Sequence, residues 1–420
     1  MRRIRDGGIR REPRLRAETT VFAAAAVAAV ATMLWAWYWN VGGNDFGTEA
    51  ARSFKALLHG HVLTFLQTAP AYGGSLLLRA PFALPASLAG SGMLTIYRLS
   101  ALPCLLALAA LGVWLARVLR SRGGSLAAAV CVVAVCVANP ITYRALQLGH
   151  PEELLGAALC TAAVLLAQRG RVNWAALALG LAIANKQWAL LAVGPVLLAA
   201  PRGRWRILLL AGASAAVLLA PIALASGSLQ SGTGRLAASA SGNIFHPQQV
   251  FWFLGRRGGW IRGTGFRIPS SIRLPPGWLS DRVHLVIVAL GVPLSWLAWR
   301  RRTTPADALL LLALLLLLRC WLDPWDVIYY LIPFVVALLA WEATVARPRP
   351  LRSVSATAVT WLVFWYLPKH LGSDAQALVF LVPSTLALAL IAARVYGLAP
   401  RRSPAPLRAP RLTRVPAAPS

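Results

Sequence analysis

Acidic residues are scarce: Asp and Glu number 13 among 420 residues, against 42 Lys and Arg, and charged residues of either sign make up only 13%. Soluble domains carry about 25% charged residues, so an ordinary soluble enzyme is excluded. The 5 cysteines are odd in number and show no C-x-x-C spacing. Cys104, Cys131, Cys136, Cys160 and Cys320 fall within or at the edge of apolar segments, as small hydrophobes do, and neither a zinc site nor a disulfide framework is readable. No glycine-rich phosphate loop and no nucleic-acid recognition module is present. The net charge of +29 therefore reads as juxtamembrane arginines orienting helices, not as a nucleic-acid surface.

What the chain has in abundance is apolar length. Hydrophobic residues make up 58% of it and its mean hydropathy is +0.62, and several runs approach the roughly 20 residues that cross a hydrocarbon core. The expected fold is an all-α polytopic membrane protein. Breaking the apolar runs at charge and Pro/Gly clusters predicts twelve spans, near 19–38, 93–116, 125–142, 153–168, 172–186, 187–201, 206–226, 281–299, 306–321, 325–343, 354–368 and 376–396. The 172–201 stretch also fits a re-entrant pair or one long helix, with a break at Asn185-Lys186-Gln187. This gives a basic N-terminus 1–18, a membrane domain 19–397 and a Pro/Arg-rich tail 398–420 expected to be disordered. The apolar run after the N-terminus ends in Trp35, Trp37, Tyr38 and Trp39, an interfacial aromatic belt and not a signal-peptide cleavage site.

Alternate connections differ in chemistry. One set, with both termini, holds 27 of the 42 basic residues, including Arg117/Arg120/Arg122, Arg169/Arg171, Arg202/Arg204/Arg206, Arg300/Arg301/Arg302 and Arg347/Arg349/Arg352. By the positive-inside rule that face and both termini are cytoplasmic, in a plasma membrane. The opposite set contains two long loops, 39–92 and 227–280, and eight of the 13 acids. Chemistry-capable side chains concentrate on this exoplasmic side.

Asp45 follows the first span in Asn44-Asp45-Phe46-Gly47-Thr48-Glu49. It reads either as a helix cap or as a carboxylate tuned by low dielectric and by Arg52 and Lys55 nearby to act as a base. His150-Pro151-Glu152-Glu153 reads as a helix start, with proline and acids in the first turn, or as a substrate contact through His150 or Glu152. Lys186 ends an apolar helix on the side where topology does not call for a cation, so phosphate binding competes with snorkelling. Arg79, Arg144 and Lys369 are weaker phosphate candidates. Asp323 and Asp326 flank Pro324-Trp325, suited to sugar hydroxyls against an aromatic face or to capping the next helix. In 245–257, aromatics lead into Arg256 and Arg257; this predicts a short interfacial helix that guides a lipid chain or only anchors the loop, with His246 facing the site or merely preceding Pro247. His59 and His61 lack a third metal ligand, and no metal-binding residues are assigned.

The run Asn44-Asp45-Phe46…Ala50-Ala51…Leu57-Leu58-His59-Gly60, with Tyr72 and Pro81, resembles the first exoplasmic loop of multi-pass GT-C glycosyltransferases. The likeness is to the bacterial branch that uses polyprenyl-phosphate sugars, actinobacterial mannosyltransferases included. Gly149-His150-Pro151-Glu152, the small-residue helix ending at Lys186, and Asp323-Pro324-Trp325-Asp326…Tyr329-Tyr330…Pro333 continue it in order. The resemblance implies transfer of a sugar, mannose favoured, from a polyprenyl-phosphate donor to a hydroxyl of a cell-envelope glycan or glycolipid. It implies inversion, with Asp45 as general base and with Glu49, His150, Glu152, Lys186, His246, Arg256, Arg257, Asp323, Trp325 and Asp326 as donor- or substrate-binding residues. No cofactor is assigned; the chain lacks the Asp-x-Asp pair of the wider superfamily, which leaves a divalent cation, Mg or Mn, an open question. The chemistry is consistent with these residue types. A lipid-phosphate sugar carries its own leaving group, so displacement needs a base on the acceptor oxygen and cations on the departing phosphate. The competing classes are a transporter or lipid-linked-sugar flippase, which twelve spans would also suit, and a membrane scaffold, which would not need two chemically rich loops.

Overall fold

The computed structural model describes residues 11–38, 44–225, 245–260, 267–345 and 349–398. The first ten residues, residues 226–244 and 261–266 of the second long loop (Arg262 among them), and the tail from 399 lie outside these ranges.

The fold is a helical bundle. α1 (Arg11–Tyr38) leads into a first loop built from a π-helical turn (Phe46–Ala50), α2 (Ala51–Leu58), α3 (Val62–Thr68) and α4 (Gly73–Leu88). Then come α5 (Met93–Ser121), α6 (Leu126–Val137), α7 (Pro140–Leu148), α8 (Glu152–Gln168), α9 (Val172–Asn185), α10 (Val193–Ala199) and α11 (Arg204–Leu224). A two-stranded antiparallel hairpin, β1 (Arg256–Trp260) and β2 (Arg267–Leu274), precedes α12 (Gly277–Arg300), α13 (Ala308–Leu322), α14 (Ile332–Thr344), α15 (Leu351–Trp361) and α16 (Ser373–Val395).

Among the described residues, seven helical stretches are long and apolar enough to cross a membrane: Glu18–Tyr38, Met93–Ser121, Leu126–Leu148, Arg204–Leu224, Arg282–Arg300, Pro305–Leu322 and Ser373–Val395. Shorter apolar helices run over Val172–Asn185, Gln187–Ala199 and Ile328–Thr344. The polytopic all-α expectation holds; a count of twelve spans is not established by length. The 172–201 stretch is broken where the sequence suggested. α9 ends at Asn185, Lys186 is extended, and a 3-10 turn, Gln187–Ala192, leads into α10.

Burial follows the bilayer logic. α8, α13 and α14 are buried nearly all round and pack against one another, because they are Leu- and Ala-rich on every face. α11, α12 and α16 instead expose Leu209, Val217, Leu285, Val292, Val382 and Leu390, the pattern of helices whose outer face meets lipid. The expected interfacial helix at 245–257 does not form. Trp252–Leu254 makes a single 3-10 turn and Arg256–Trp260 is strand; Gly255, Gly258 and Gly259 in this stretch disfavour a helix, where glycine costs about 1 kcal/mol per residue.

Candidate active site

The site is assembled at the bundle end where the first loop returns. Phe46 is buried against Tyr97 at 4.5 Å and Phe54 at 5.9 Å between ring centroids, which pins the backbone on which Asp45 sits. Asn44 Oδ1 accepts from Gly47 N at 3.1 Å, whereas Asp45 makes no capping bond. The capping job falls to the neighbour, and Asp45 is left to face elsewhere.

It faces His150. α7 ends at Gly149, in the left-handed region with φ 99°, and His150 N then donates to Ala145 O at 2.8 Å. A Cβ on Gly149 would stand 2.5 Å from Phe46 N, so only glycine permits both this turn and the approach of the first loop. The His150 ring stacks on Tyr329 at 4.6 Å and holds a carboxylate at each nitrogen: Asp45 Oδ2 is 3.0 Å from Nε2 and Glu152 Oε1 is 2.7 Å from Nδ1. Burial alone would lower the His150 pKa, but the Glu152 charge and the hydrogen bonds to Asp45 and Glu152 overcome it and raise it from 6.5 to about 9. His150 is therefore an imidazolium clamped between two carboxylates at neutral pH. The Asp45 side chain remains half exposed.

Behind this pair lies a buried ladder of charge. Lys186 Nζ sits 3.1 Å from Glu152 Oε1 and 2.9 Å from Glu153 Oε1. Arg79 Nη1 is 3.6 Å from Glu152 Oε2 and is held at the other side by Ser100. Arg319 grips Glu153 with both terminal nitrogens, at 3.3 and 3.2 Å, between the faces of Trp188 and Tyr330. Glu152 and Glu153 stand in the first turn of α8, so the helix-start reading is also correct: the helix dipole helps hold two adjacent buried anions. Glu152 and Glu153 are wholly enclosed, Arg79 likewise, and Lys186 keeps 14% of its side chain accessible, over Tyr72 and Tyr330. Three cations against two carboxylates leave the ladder one positive charge in excess, which favours an anion at its open end, where Lys186 stands. Tyr72, whose phenol pKa burial raises, donates to Glu49 Oε2 at 2.8 Å, which ties the second acid of the first loop to the same wall.

The later candidates divide. Asp323 lies beside this wall through Tyr329-Tyr330; it accepts from Trp325 N at 3.0 Å and meets His284 Nε2 at 3.1 Å. Asp326 is fully buried, and among the described residues neither of its carboxylate oxygens has a hydrogen-bond partner. The His246 backbone donates to Pro324 O at 3.1 Å, so the end of the second loop covers this turn; burial lowers the His246 pKa, so its ring is neutral. Arg257 goes elsewhere, to Asp374, which Arg273 also holds at 3.1 Å through two nitrogens and Trp252 at 2.7 Å. Arg256, its neighbour on β1, is exposed. Sequence reasoning missed Arg319, His284 and Asp374. Arg319 carried a readable signal: it closes a run of nine leucines and one alanine, Leu309 to Leu318, and an ionisable residue in such a run marks a site. Among the described residues no three His, Cys, Asp or Glu side chains form a metal-binding group.

The sequence model of glycosyltransferase family 87 matches residues 73–322. The chain belongs to glycosyltransferase family 87, a GT-C-like family of membrane glycosyltransferases. No curated protein matches the chain. The matched stretch of this family 87 transferase contains Arg79, His150, Glu152, Glu153, Lys186 and Arg319; Asp45 and Glu49 precede it and Asp323 and Asp326 follow it.

Proposed function

We propose that this glycosyltransferase moves a sugar, mannose favoured, from a polyprenyl-phosphate donor to a hydroxyl of a cell-envelope glycan or glycolipid at the exoplasmic membrane surface, with inversion. The observation that carries the reading is the state of Asp45. Its Oδ2 is occupied by the His150 imidazolium, its side chain is half exposed, and its other oxygen is free to accept a proton from an incoming hydroxyl. Asp45 takes that proton as the acceptor oxygen attacks the anomeric carbon. The bond from that carbon to the phosphate oxygen breaks, and polyprenyl phosphate leaves with the electron pair.

The remaining residues divide into contact and support. Lys186, with Tyr72 and Tyr330 beside it, meets the donor phosphate, drawing on the ladder's excess charge. Glu152 sits one layer behind, where it orients His150 and Lys186 without touching substrate, and His150 in turn positions Asp45. Glu49 and the turn Asp323-Pro324-Trp325-Asp326 with His246 line the sugar and acceptor side, and Arg256 on the hairpin faces the lipid surface. The acceptor, the donor lipid and the membrane are the partners this chemistry requires.

Single-turnover transfer, with donor binding measured separately, tests the base. Asp45→Asn keeps shape and folding but loses about 10²–10⁴-fold in rate, while Glu49→Gln is milder. Near wild-type transfer by Asp45→Asn overturns the assignment. Lys186→Ala weakens donor binding about 10- to 150-fold, as expected for a charge-assisted contact worth roughly 1.5–3 kcal/mol, and Lys186→Arg retains part of it; unchanged donor affinity returns Lys186 to an internal counter-ion.

A further inference from the structure

A second group of cations lies outside the ladder. Arg144 on α7 places its guanidinium over the Trp365 indole at 4.5 Å, and Lys369 Nζ lies over the same indole at 4.6 Å from the centroid. Trp365 is stacked on Trp361 at 5.2 Å and belongs to the π-helical turn Leu362–Tyr366, a distortion that often marks functional sites. Two like charges held against one ring repel each other, and an ordinary structural pair would be relieved by a carboxylate. Among the described residues no carboxylate pairs with either: Tyr143 acts on Arg144, and Asp374, five positions after Lys369, is committed to Arg257, Arg273 and Trp252. Arg144 gives one terminal nitrogen to Gln147, while its Nε is buried with no partner.

An interfacial anchor accounts for the exposed Lys369 but not for Arg144. Snorkelling keeps the charged head in water, whereas Arg144 is half-buried with an orphaned donor, and such a donor is costly unless something accepts from it. The turn is also preformed. Gln376 donates to Leu371 O at 2.7 Å and accepts from Gln248 at 3.3 Å, which fixes the Leu367–Lys369 turn at the head of α16. The chemistry that satisfies a fork of guanidinium donors, an ammonium and an aromatic plate at a membrane surface is a phosphate on a lipid, with the apolar stem against Trp365 and Trp361.

We propose that Arg144, Lys369 and Trp365 form a second anion site, which binds the phosphate of a lipid headgroup beside the Asp45–His150 centre. Two lipids could supply that phosphate: a phosphodiester membrane lipid on the acceptor side, or a polyprenyl monophosphate. The test reads binding and not transfer, so its failure leaves the transferase reading standing, and the reverse also holds. The purified full-length chain in uncharged detergent is titrated with phosphatidylglycerol in one arm and polyprenyl phosphate in the other, with a galactosyl diacylglycerol and free polyprenol as uncharged controls, and retained lipid is counted by native mass spectrometry. Phosphate-bearing lipid binds about tenfold or more tightly than its control, and Arg144→Ala with Lys369→Ala abolishes that margin. Arg144→Lys, which keeps the charge and one donor, retains part of it and guards against misfolding of the double variant. Loss in the phosphatidylglycerol arm alone assigns the site to the acceptor side; loss in the polyprenyl phosphate arm, alone or with the other, assigns it to the donor phosphate. Binding by the double variant equal to wild type in both arms overturns the proposal and makes the cluster an interfacial anchor.

Discussion

His150 illustrates how one side chain couples folding to chemistry. Its pKa is raised from 6.5 to about 9, so its stabilising contribution is fully present below pH 6.5 and is lost as pH rises through about 9. Above that point the imidazole can donate from only one nitrogen, and one of its two carboxylates is released. If His150 positions Asp45, transfer declines on the alkaline side with an apparent pKa near 9. His150→Gln, which still donates one hydrogen bond, then shows a lower kcat and no such limb. A His150→Gln variant with an unchanged alkaline profile assigns that limb to another group. At this scale much was legible in the chain: Asp45, His150, Glu152 and Lys186 were singled out from loop position and face, and the structure brings all four together. What the sequence could not reveal was their pairing. Lys186 looked like a free cation awaiting phosphate, because nothing in its neighbourhood along the chain shows that Glu152 and Glu153, more than thirty positions away, lie at 3.1 and 2.9 Å.

At the level of elements, the site depends on helix ends and breaks more than on helices. α7 stops at Gly149, α9 stops before Lys186, and α13 stops before Asp323; each stop turns a polar side chain toward one end of the bundle. The first two were foreseeable from Gly149-His150-Pro151 and from the polar triplet at 185–187. The hairpin after Gly255 was not, because the same aromatic and arginine pattern suits an interfacial helix. Gly149→Ala meets both a left-handed φ and a backbone nitrogen 2.5 Å from the new methyl. The dihedral alone costs about 1–2 kcal/mol, and the displaced first loop carries Asp45 with it, so kcat falls at least tenfold with the protein still folded; the check is transfer alongside thermal unfolding in detergent. The α8–α13 tie gives a different signature. Arg319→Ala strips Glu153 of its bidentate partner inside the bundle and destabilises it by about 3–5 kcal/mol, read as loss of thermal stability. Arg319→Met combined with Glu153→Gln costs less, because the buried charge and its bidentate partner are removed together.

Across the whole molecule, the two ends of the bundle are held by different chemistry, and this bears on orientation. Arginine-bearing ends meet one another: Arg120 pairs with Glu18, Arg122 donates to Ala343 and Val345, Arg169 covers Trp114, Arg204 covers Trp299 and Arg352 covers Trp341. Asp45, His150, Glu152, Lys186 and Asp323 gather at the turns of the other set. These contacts group arginine-bearing connections in space, as helices that alternate in direction would, without fixing the number of spans. From the positive-inside rule we propose that the arginine end is cytoplasmic and the candidate site exoplasmic. Cysteine labelling tests this, and the native thiols interfere little: Cys104, Cys136, Cys160 and Cys320 are buried and Cys131 is half-buried. Ser75, although in the first loop, is fully buried and would report nothing. Exposed His61 between α2 and α3 and exposed Arg301 after α12 are the better positions. His61→Cys reacts with an impermeant maleimide in intact cells, and Arg301→Cys reacts only after lysis. The reverse pattern inverts the orientation and moves Asp45 to the cytoplasmic face, where a nucleotide-linked donor would replace the lipid-linked one as the first candidate.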